Sequence, residues 1–251
     1  MVKLLSPDIE VREENTDQPQ WKLKLRRYSP CVRRNYIFVG SVLSSTTSCS
    51  IVWGAGFLTG RSRCLQKPRK IHAIRGKLSE RHLVNQGIPC PRVYGDPALI
   101  LPQLYQPEQT KKYKYGVIPH YVDLGYKKGI LGDQNLNKRL ADMNATLIDV
   151  GQSFLDFINQ VNQCEYIASS SLHGLILAHA YGVPAVWIRF ADFVSGHDGF
   201  KFSDYFSTTN LEINQPVILD DWSNVERILK RNCVCPGYLP SADHLLDAYP
   251  L

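Results

Sequence analysis

The sequence predicts an α/β protein with two parallel-sheet domains and a cleft between them. Short apolar runs rich in β-branched and aromatic residues alternate with helical segments, a pattern typical of βαβ units. A charged, proline-containing stretch, 106–116, interrupts this alternation and is predicted to be a linker. Each domain is therefore predicted to be Rossmann-like, with bounds 1–110 and 111–251, and 251 residues suffice to bury a core.

The first half is predicted to form a sheet of short, buried strands. Continuous apolar runs that close on glycine are typical of strands covered on both faces. One helix is predicted in this half, with Ser79 as its N-terminal cap and Gly87 at its end. Strands are predicted at 35–43, 50–58 and 70–76, and the stretch 92–105 is predicted as a further strand that leads into a Gly-Asp-Pro loop and an apolar tail.

The second half again alternates strands and helices. Its strands are predicted at 115–123, 145–150, 165–171 and 184–190, and its helices at 153–164, 172–182 and 220–232. The first of these helices is predicted to bury one apolar face, formed by Phe154, Leu155, Phe157, Ile158 and Val161. The last helix carries an apolar stripe of Trp222, Val225, Ile228 and Leu229.

The charge pattern limits the classes of partner. The net charge is +6, with local basic excess in 21–34 and 110–116. Solvated surface is the ordinary explanation, and an anionic substrate or membrane surface is the alternative. Nucleic-acid binding is not predicted, because the basic residues form no continuous stripe and no recognised binding motif.

The seven cysteines show no CxxC spacing and no flanking metal-type histidines. Neither a disulfide framework nor a metal site is predicted, and a reducing cytoplasm is the expected compartment. No stretch reaches the roughly 18 to 20 apolar residues that span a bilayer, and the start turns acidic too soon for a secretion signal. A soluble protein is therefore expected.

The stretch "SSSLHG", residues 169–174, carries the strongest functional signal. It lies where a predicted strand meets a predicted helix, and open α/β sheets bind ligands at the carboxyl ends of their strands. First-turn N–H groups and the hydroxyls of Ser170 and Ser171 suit a phosphate or carboxylate. His173 can exchange a proton or contact an anion, and Gly174 permits close approach. The ordinary alternative is a serine-capped helix with an unremarkable surface or core histidine.

Several short blocks, in the same order, resemble the signature of the polysaccharide pyruvyl transferase family. The resemblance covers about residues 35–210 and points to the branch of bacterial exopolysaccharide ketal-pyruvate transferases. Each block is short, but the ordered set is fairly specific. The blocks are "VWGAGF" (52–57), "AIRGKLS" (73–79), "YGDPALILP" (94–102), "GVIPHYVD" (116–123), "SSSLHGLILAHAYGVPAVWIRF" (169–190) and "GFKFSDYF" (199–206).

The resemblance implies an enzyme that uses phosphoenolpyruvate as donor substrate, with no cofactor. The enolpyruvyl carbons pass to two hydroxyls of one sugar, which gives a cyclic pyruvate ketal and releases phosphate. The acceptor implied is a sugar of a cell-surface polysaccharide or of its lipid-linked precursor. The implied fold is GT-B-like, with the donor in the interdomain cleft.

The resemblance also places His173 and Leu172 at the phosphoenolpyruvate site. The imidazole can there bind the phosphate, or protonate the methylene carbon or the departing oxygen. Many relatives carry arginine before this Leu-His pair, whereas this chain has Ser171. One anion contact is therefore expected from elsewhere, and Arg75, at a predicted strand's carboxyl end, is the leading candidate.

The other candidates in the first half each have a structural alternative. Arg75 can instead form a structural ion pair with Glu80 or Asp96. Asp96 can position a sugar hydroxyl or act as a base, although Asp-Pro is also common in turns. Gly54 and Gly56 can let the backbone approach a ligand or can serve only a tight turn.

Two candidates of the second half are equally open. His120 follows a predicted strand and either faces the cleft or is an ordinary loop histidine. Lys201 is predicted in a loop after Gly196 and Gly199 that either covers the donor or carries a solvated lysine. The aromatic residues around it are expected in the core rather than in a sugar platform: Phe200, Phe202, Tyr205 and Phe206.

Two further expectations concern the front of the chain and its location. The family pattern starts with a strand and an Asn-aromatic-Gly-Asp loop, followed by a helix that resembles "LVKLLSP"; this chain starts with "MVKLLSPDI", so that strand is expected to be missing. The expected location is the cytoplasm, with 21–34 able to rest on an anionic membrane face. The competing functions are a glycosyltransferase that uses a nucleotide sugar and a catalytically inert subunit of polysaccharide assembly, an alternative that Ser171 and the missing front loop both leave open.

Overall fold

The structure, a computed structural model, describes residues 34–108, 110–126, 129–191 and 198–251. By its internal contacts the chain divides into two compact units. The first comprises Met1–Leu104, His197–Glu212 and Tyr238–Leu251, and the second comprises Tyr105–Gly196 and Ile213–Gly237. The domain bounds predicted from the sequence, which meet at residue 110, stay a prediction.

The regular elements alternate along the chain as expected for an α/β protein. The strands are β1 (Asn35–Ile37), β2 (Ser50–Trp53), β3 (Lys70–Ala73), β4 (Tyr113–Ile118), β5 (Ala145–Leu147), β6 (Cys164–Ser169), β7 (Ala185–Phe190) and β8 (Val217–Leu219). The α-helices are α1 (Lys77–Val84), α2 (Leu101–Leu104), α3 (Tyr121–Tyr126), α4 (Leu136–Asp142), α5 (Phe154–Asn162), α6 (Leu172–Ala180), α7 (Phe200–Phe206), α8 (Val225–Asn232) and α9 (Ala242–Asp247).

The first unit contains a parallel sheet in the order β1-β2-β3. All four residues of β2 are buried, which explains its continuous apolar sequence. At its end, the indole N–H of Trp53 donates to the carbonyl of Leu245 at 2.8 Å and so fixes α9 on the sheet. The three predicted parallel strands at 35–43, 50–58 and 70–76 are confirmed, although each is shorter than predicted.

The segment 92–105, predicted as a strand that leads into a Gly-Asp-Pro loop and an apolar tail, keeps very little of the strand. Only an isolated bridge at Tyr94 extends the sheet. Gly95 then takes a left-handed φ of 133°, and the Asp96 carboxylate accepts a hydrogen bond from the Ala98 N–H at 3.0 Å. This aspartate cap starts a 3-10 helix and α2, so the apolar residues of the segment are helical.

The helix predicted to start at Ser79 begins earlier. α1 starts at Lys77, with Gly76 as its N-cap, and Ser79 lies within the helix. The Ser79 hydroxyl instead accepts a hydrogen bond from the Phe57 N–H at 3.1 Å. Ser79, which was predicted to cap the helix, is therefore a buried side chain that joins α1 to the loop after β2.

The second unit contains a fully parallel sheet in the order β5-β4-β6-β7-β8. In chain order within this unit, the strands lie as 2-1-3-4-5, one of the common doubly wound arrangements. The four predicted strands of this half are confirmed within a few residues, and the short edge strand β8 was not predicted. The structure thus confirms the α/β class with parallel sheets.

The predicted linker 106–116 is wrong in its second part, because Tyr113 to Gly116 belong to β4. Tyr115 is buried in the core, whereas the neighbouring Lys114 points outward and forms a salt bridge of 3.2 Å with Glu226. The alternation of lysine and tyrosine is the period-two signal of a half-buried strand. The high charge of the segment concealed it.

The apolar face predicted for α5 is only partly correct. Phe157, Ile158 and Val161 are buried, but Phe154 and Leu155 are 41% and 42% exposed at the start of the helix. The stripe predicted for the last helix is confirmed, since Trp222, Val225, Ile228 and Leu229 all lie in the core of this unit.

His179 lies in the buried part of α6, and burial lowers its pKa to about 4; backbone hydrogen bonds with Val234 and Ala185 act in the opposite direction. The folded protein therefore favours the neutral imidazole, whereas the unfolded chain protonates it near pH 6.5. Between these two values the unfolded state binds more protons, so folding stability falls as the pH falls.

We predict that lowering the pH from 7.5 to 5 removes about 2 kcal/mol of unfolding free energy through His179. Urea unfolding at the two pH values measures it, and His179→Gln should lose correspondingly less than the wild-type chain. His244→Gln, at an exposed position, is the matched control. Equal pH dependence of wild type and His179→Gln would contradict the prediction.

Candidate active site

The strand order of the second sheet singles out the carboxyl ends of β4 and β6. β5 lies on one side of β4, and β6, β7 and β8 follow on the other, so the order reverses between β4 and β6. Open α/β sheets bind their ligands at such a switch point. His120 follows β4, and the stretch 169–174 spans the end of β6 and the start of α6. The predicted site residues of this unit therefore meet at one edge of the sheet.

Ser170 joins the two loops at this edge. Its hydroxyl accepts a hydrogen bond from the His120 N–H at 2.8 Å and donates to Asp123 Oδ2 at 3.3 Å. Its own N–H donates to the carbonyl of Ile118 at 3.0 Å. Ser170 and Asp123 are both buried, so these bonds hold the loop after β4 against the loop after β6.

Gly174 lets α6 pack closely on β6. A Cβ atom at this position would lie 2.4 Å from Ser169 Oγ and 3.1 Å from the Ile118 side chain. The Ser169 hydroxyl is itself fixed, because it accepts from the Ser171 N–H at 3.1 Å and lies 2.8 Å from the Ser171 carbonyl. In the structure, the close approach that glycine permits is between helix and strand.

The start of α6 has the local backbone features that suit an anion. Ser171 is the N-cap in an extended conformation, and its side chain makes no capping hydrogen bond. The N–H groups of a helix's first turn have no partner within the helix, and the helix dipole adds positive potential there. Leu172 is 3% exposed and anchors the helix in the core, so only its backbone can contact a ligand.

His173 is the one partly exposed residue of the stretch 169–174, although its ring Nε2 is buried. The residues on either side, Ser171, Leu172 and Gly174, are buried, whereas His173 is partly exposed. It stands at the second position of a nine-residue helix whose body is buried on almost every side. The backbone thus presents one imidazole beside the first-turn N–H groups, where it can bind an anion or exchange a proton.

In the first unit, Arg75 forms a buried ion pair with Asp204. Both side chains are 0% exposed, and Arg75 Nη2 lies 2.9 Å from Asp204 Oδ2. The guanidinium also donates to Ser41 Oγ and to the Phe57 carbonyl, each at 2.7 Å. The structural alternative for Arg75 thus accounts for its contacts, with Asp204 as the partner in place of the expected Glu80 or Asp96.

Asp204 lies in α7 and ties that helix to α1. Its carboxylate accepts hydrogen bonds from the Ser79 N–H and hydroxyl, each at 2.7 Å, besides those from Arg75. Gly56 makes room for the pair, because a Cβ there would lie 2.3 Å from Arg75 Cζ. Every polar group of this cluster is paired, as a buried ion pair requires.

Gly54 and Asp96 also serve packing in the structure. Gly54 takes a left-handed φ of 82°, and a Cβ there would lie 2.2 Å from the Pro97 ring. Asp96 is buried and caps the 3-10 helix that begins at Pro97. For both Gly54 and Asp96, the contacts agree with a structural role in a turn, the alternative predicted from the sequence.

Lys201 does not lie in a loop. Residues 200–206 form α7, and Lys201 is 6% exposed with its ammonium group 5.3 Å from the centre of the Phe202 ring. The expected core positions of Phe202, Tyr205 and Phe206 are confirmed. Gly196, the other end of the predicted loop, lies outside the described residues.

Sequence reasoning missed two carboxylates, Asp123 and Asp204. Both lie in blocks singled out for other residues, "GVIPHYVD" and "GFKFSDYF". An acidic residue within an otherwise apolar block is a signal of a buried partner, because charged groups are rarely buried unpaired. That signal could have indicated both.

Metal, thiol and membrane features add little to this site. In the described ranges no group of three or more His, Cys, Asp or Glu side chains is placed to hold a metal ion. The thiols of Cys64, Cys90, Cys164, Cys233 and Cys235 are free, but Cys49 is disulfide-bonded, an exception to the expectation of unpaired cysteines. Across the same part of the chain, no helix is long and apolar enough to cross a bilayer.

Comparison with known families decides the classification. The sequence model described as Polysaccharide pyruvyl transferase matches residues 2–191. The chain belongs to the polysaccharide pyruvyl transferase family. The match contains both β4 and β6 with their loops, and hence the whole switch-point site.

Sequence comparison also identifies relatives of this chain, among them one uncharacterized protein and one named for succinoglycan biosynthesis. An uncharacterized protein of Acanthamoeba polyphaga mimivirus is 32% identical over 185 residues, which is 72% of this chain and 62% of the relative. The succinoglycan biosynthesis protein ExoV of Rhizobium meliloti is 27% identical over 179 residues, 68% of this chain and 52% of the relative. The chain thus spans little more than half the length of these relatives. No solved structure matches it.

We predict that Gly174→Ala lowers the free energy of unfolding by about 1–3 kcal/mol, because the new methyl group would collide with Ser169. Urea unfolding measures the loss. Gly125→Ala is the matched control, since a Cβ there has no described atom within 4 Å and the change improves helix propensity. If the two variants were equally stable, the close packing of α6 on β6 would be refuted.

We predict that Asp204→Asn costs this pyruvyl transferase family member about 3–5 kcal/mol of stability, because it leaves the Arg75 charge buried without a countercharge. Arg92→Gln, at an 87% exposed arginine 3.8 Å from Glu80, should change stability by less than about 1 kcal/mol. Thermal unfolding of the two variants beside wild type gives the comparison. A loss for Asp204→Asn as small as the control's would show that the pair is not needed for folding.

Proposed function

We propose that the protein transfers pyruvate from phosphoenolpyruvate to one sugar of a cell-surface polysaccharide or its lipid-linked precursor, forming a pyruvate ketal. Family membership supports a transferase that acts on polysaccharide, and one relative is named for the biosynthesis of succinoglycan. The observation that carries the proposal is the partly exposed imidazole of His173 beside the first-turn N–H groups of α6, at the switch point of the sheet.

Phosphoenolpyruvate matches the chemistry of this position. It carries a phosphate and a carboxylate, and both need N–H donors or positive charge. We assign one anionic group of the donor to the start of α6, with Ser171 as an adjacent hydroxyl donor in place of the arginine that many relatives carry. The second anionic group then requires cationic or N–H contacts beyond this helix, in keeping with the two-domain, GT-B-like donor cleft that the family resemblance implies.

The reaction needs one proton delivered to carbon. The donor's methylene gains a proton and becomes a methyl group, the neighbouring carbon forms two C–O bonds to sugar hydroxyls, and its bond to the phosphate oxygen breaks. The two hydroxyls release two protons, of which one balances the methyl group and the other leaves with phosphate. Because the helix already supplies anion contacts, we assign to His173 the transfer of a proton rather than phosphate binding.

In this proposal the candidate residues of the first unit have structural rather than catalytic roles. Arg75 and Asp96 are assigned to positioning, because their side chains are fully buried and bonded to the protein. Gly54 and Gly56 then preserve the space for their neighbours, and Lys201 packs in α7. Of the second-unit candidates, His120 and Ser170 hold the loops that flank His173.

The acceptor and the location follow from the same family assignment. A lipid-linked oligosaccharide would bring the enzyme to the inner face of the membrane, where the basic segment 21–34 could contact anionic lipid. That segment lies outside the described residues. A cytoplasmic enzyme with peripheral membrane contact is therefore part of the proposal.

The test is phosphate release from phosphoenolpyruvate in the presence of lipid-linked or polysaccharide acceptors, with mass spectrometry of the product for the ketal. His173→Gln keeps a polar side chain but cannot act as an acid, so kcat/KM should fall by about 100-fold or more. His244→Gln, an exposed histidine of the first unit, should retain full activity, and both variants should keep the wild-type melting temperature.

The alternatives give different results in this assay. Stabilisation by a nucleotide sugar but not by phosphoenolpyruvate would indicate a glycosyltransferase. Absence of turnover with every acceptor, together with unchanged polymer chemistry in cells that carry His173→Gln, would indicate an inert assembly subunit. Full activity of His173→Gln would refute the role assigned to the imidazole while leaving the family reaction in place.

A further inference from the structure

A polar cavity lies apart from the switch point, beside β8, the edge strand of the same sheet. It has a volume of about 350 Å³ and lies between β8 and α8, open to solvent. Small-molecule sites commonly have volumes of about 300–1,000 Å³. Strand β7 separates β8 from β6, and adjacent strands lie about 4.8 Å apart, which places the two strands roughly 10 Å from each other. All residues that line the cavity lie beyond residue 191, where the family match ends.

Two arginines give this cavity its charge. Arg227 and Arg231 lie one turn apart on α8, and both line the cavity. Neither has a salt-bridge partner anywhere in the described ranges, although Arg227 Nη2 donates to Asn224 Oδ1 at 3.1 Å. Like charges at this spacing repel each other, and an anion placed between them would relieve the repulsion. The planar guanidinium is suited to the paired oxygens of phosphate or carboxylate.

The other polar groups of the cavity suit hydroxyls. Asp220 offers carboxylate oxygens, and Asn224 and Asn232 combine amide donors and acceptors. Asp220 also makes the cavity a poor site for a bare inorganic anion, because its charge opposes one. With two arginines and one aspartate, the formal charge of the lining is 2 − 1 = +1. This arrangement favours an anionic ligand that also carries hydroxyl groups.

One wall of the cavity is apolar. Val217 and Ile218 of β8 and Ile228 of α8 contribute aliphatic side chains, and Ile218 is 40% exposed. A site with an apolar wall and a few convergent polar groups is the usual form of a small-molecule site. A sugar ring has both characters, because its C–H face is apolar and its rim carries hydroxyls.

We infer that this cavity binds an anionic sugar, a hydroxylated ring that carries a phosphate or a carboxylate. Arg227 and Arg231 bind the anionic group, Asp220 and Asn224 bind hydroxyls, and Ile218 contacts the ring. The site is independent of the donor position proposed at His173. It would hold a sugar of the acceptor or of a related saccharide without taking part in bond formation.

Isothermal titration calorimetry of the whole chain tests this inference with four probes: glucose 1-phosphate, glucuronate, glucose and inorganic phosphate. We expect glucose 1-phosphate, glucuronate or both to bind at least about tenfold more tightly than glucose and inorganic phosphate, because only they satisfy the arginines and the hydroxyl-binding groups together. Arg227→Gln and Arg231→Gln should each weaken that binding at least about tenfold.

Lys230→Gln is the matched control. It removes the same charge from the same helix, but Lys230 pairs with Glu226 at 2.8 Å and does not line the cavity, so binding should be unchanged. His173→Gln should also bind normally, which separates this site from the donor position. Circular dichroism confirms that each variant is folded, as expected for exposed positions.

Four results would overturn the inference, three of which concern affinity. These three are the absence of binding by both anionic sugars, equal affinity for inorganic phosphate or glucose, and wild-type affinity in both arginine variants. Loss of binding in His173→Gln would also overturn it, because the sugar would then occupy the donor position. Failure of the phosphoenolpyruvate assay with intact sugar binding would leave this site standing and refute only the proposed reaction.

Discussion

Parallel pairing of β4 with β6 constrains everything at the candidate active site. Because the two strands run in the same direction, their carboxyl ends lie side by side, and the loops that follow must share one edge of the sheet. Ser170 bonds to both loops at that edge and leaves little freedom in how they sit. The position of His173 follows from this pairing, since it lies only three positions after Ser170 and four after the end of β6.

The contacts of the family blocks show two roles: some blocks form loops at the candidate site, and others form a buried polar cluster. In the second unit the blocks supply the loops at the switch point. In the first unit, "AIRGKLS" and "GFKFSDYF" meet through Arg75, Ser79 and Asp204, a cluster closed to solvent. A sequence signature of an enzyme family can thus include residues that specify the fold, and a buried arginine within it need not touch the substrate.

The sequence predicted the α/β class and the strand-to-helix junction at 169–174 because both rest on local signals. Apolar runs and helix boundaries are visible in a single chain, and "SSSLHG" marks a strand-to-helix junction. The failures have a different origin. The partner of Arg75 lies 129 residues away in α7, which no spacing indicates. The helix after Gly95 depends on the Asp96 cap, and the strand that contains 113–116 depends on its buried face. Intrinsic propensity alone indicates neither element.

The collision that a methyl group would make at Gly174 also bears on motion. A helix packed this closely on its strand has little room to slide or tilt, so its N–H dipoles are held in one direction. Because these dipoles are already oriented, no free energy is needed to reorient them during a reaction. If the donor binds at this helix as proposed, any closure that shields it from water must come from other segments, and the entropy lost on binding is lost mainly by the small molecule.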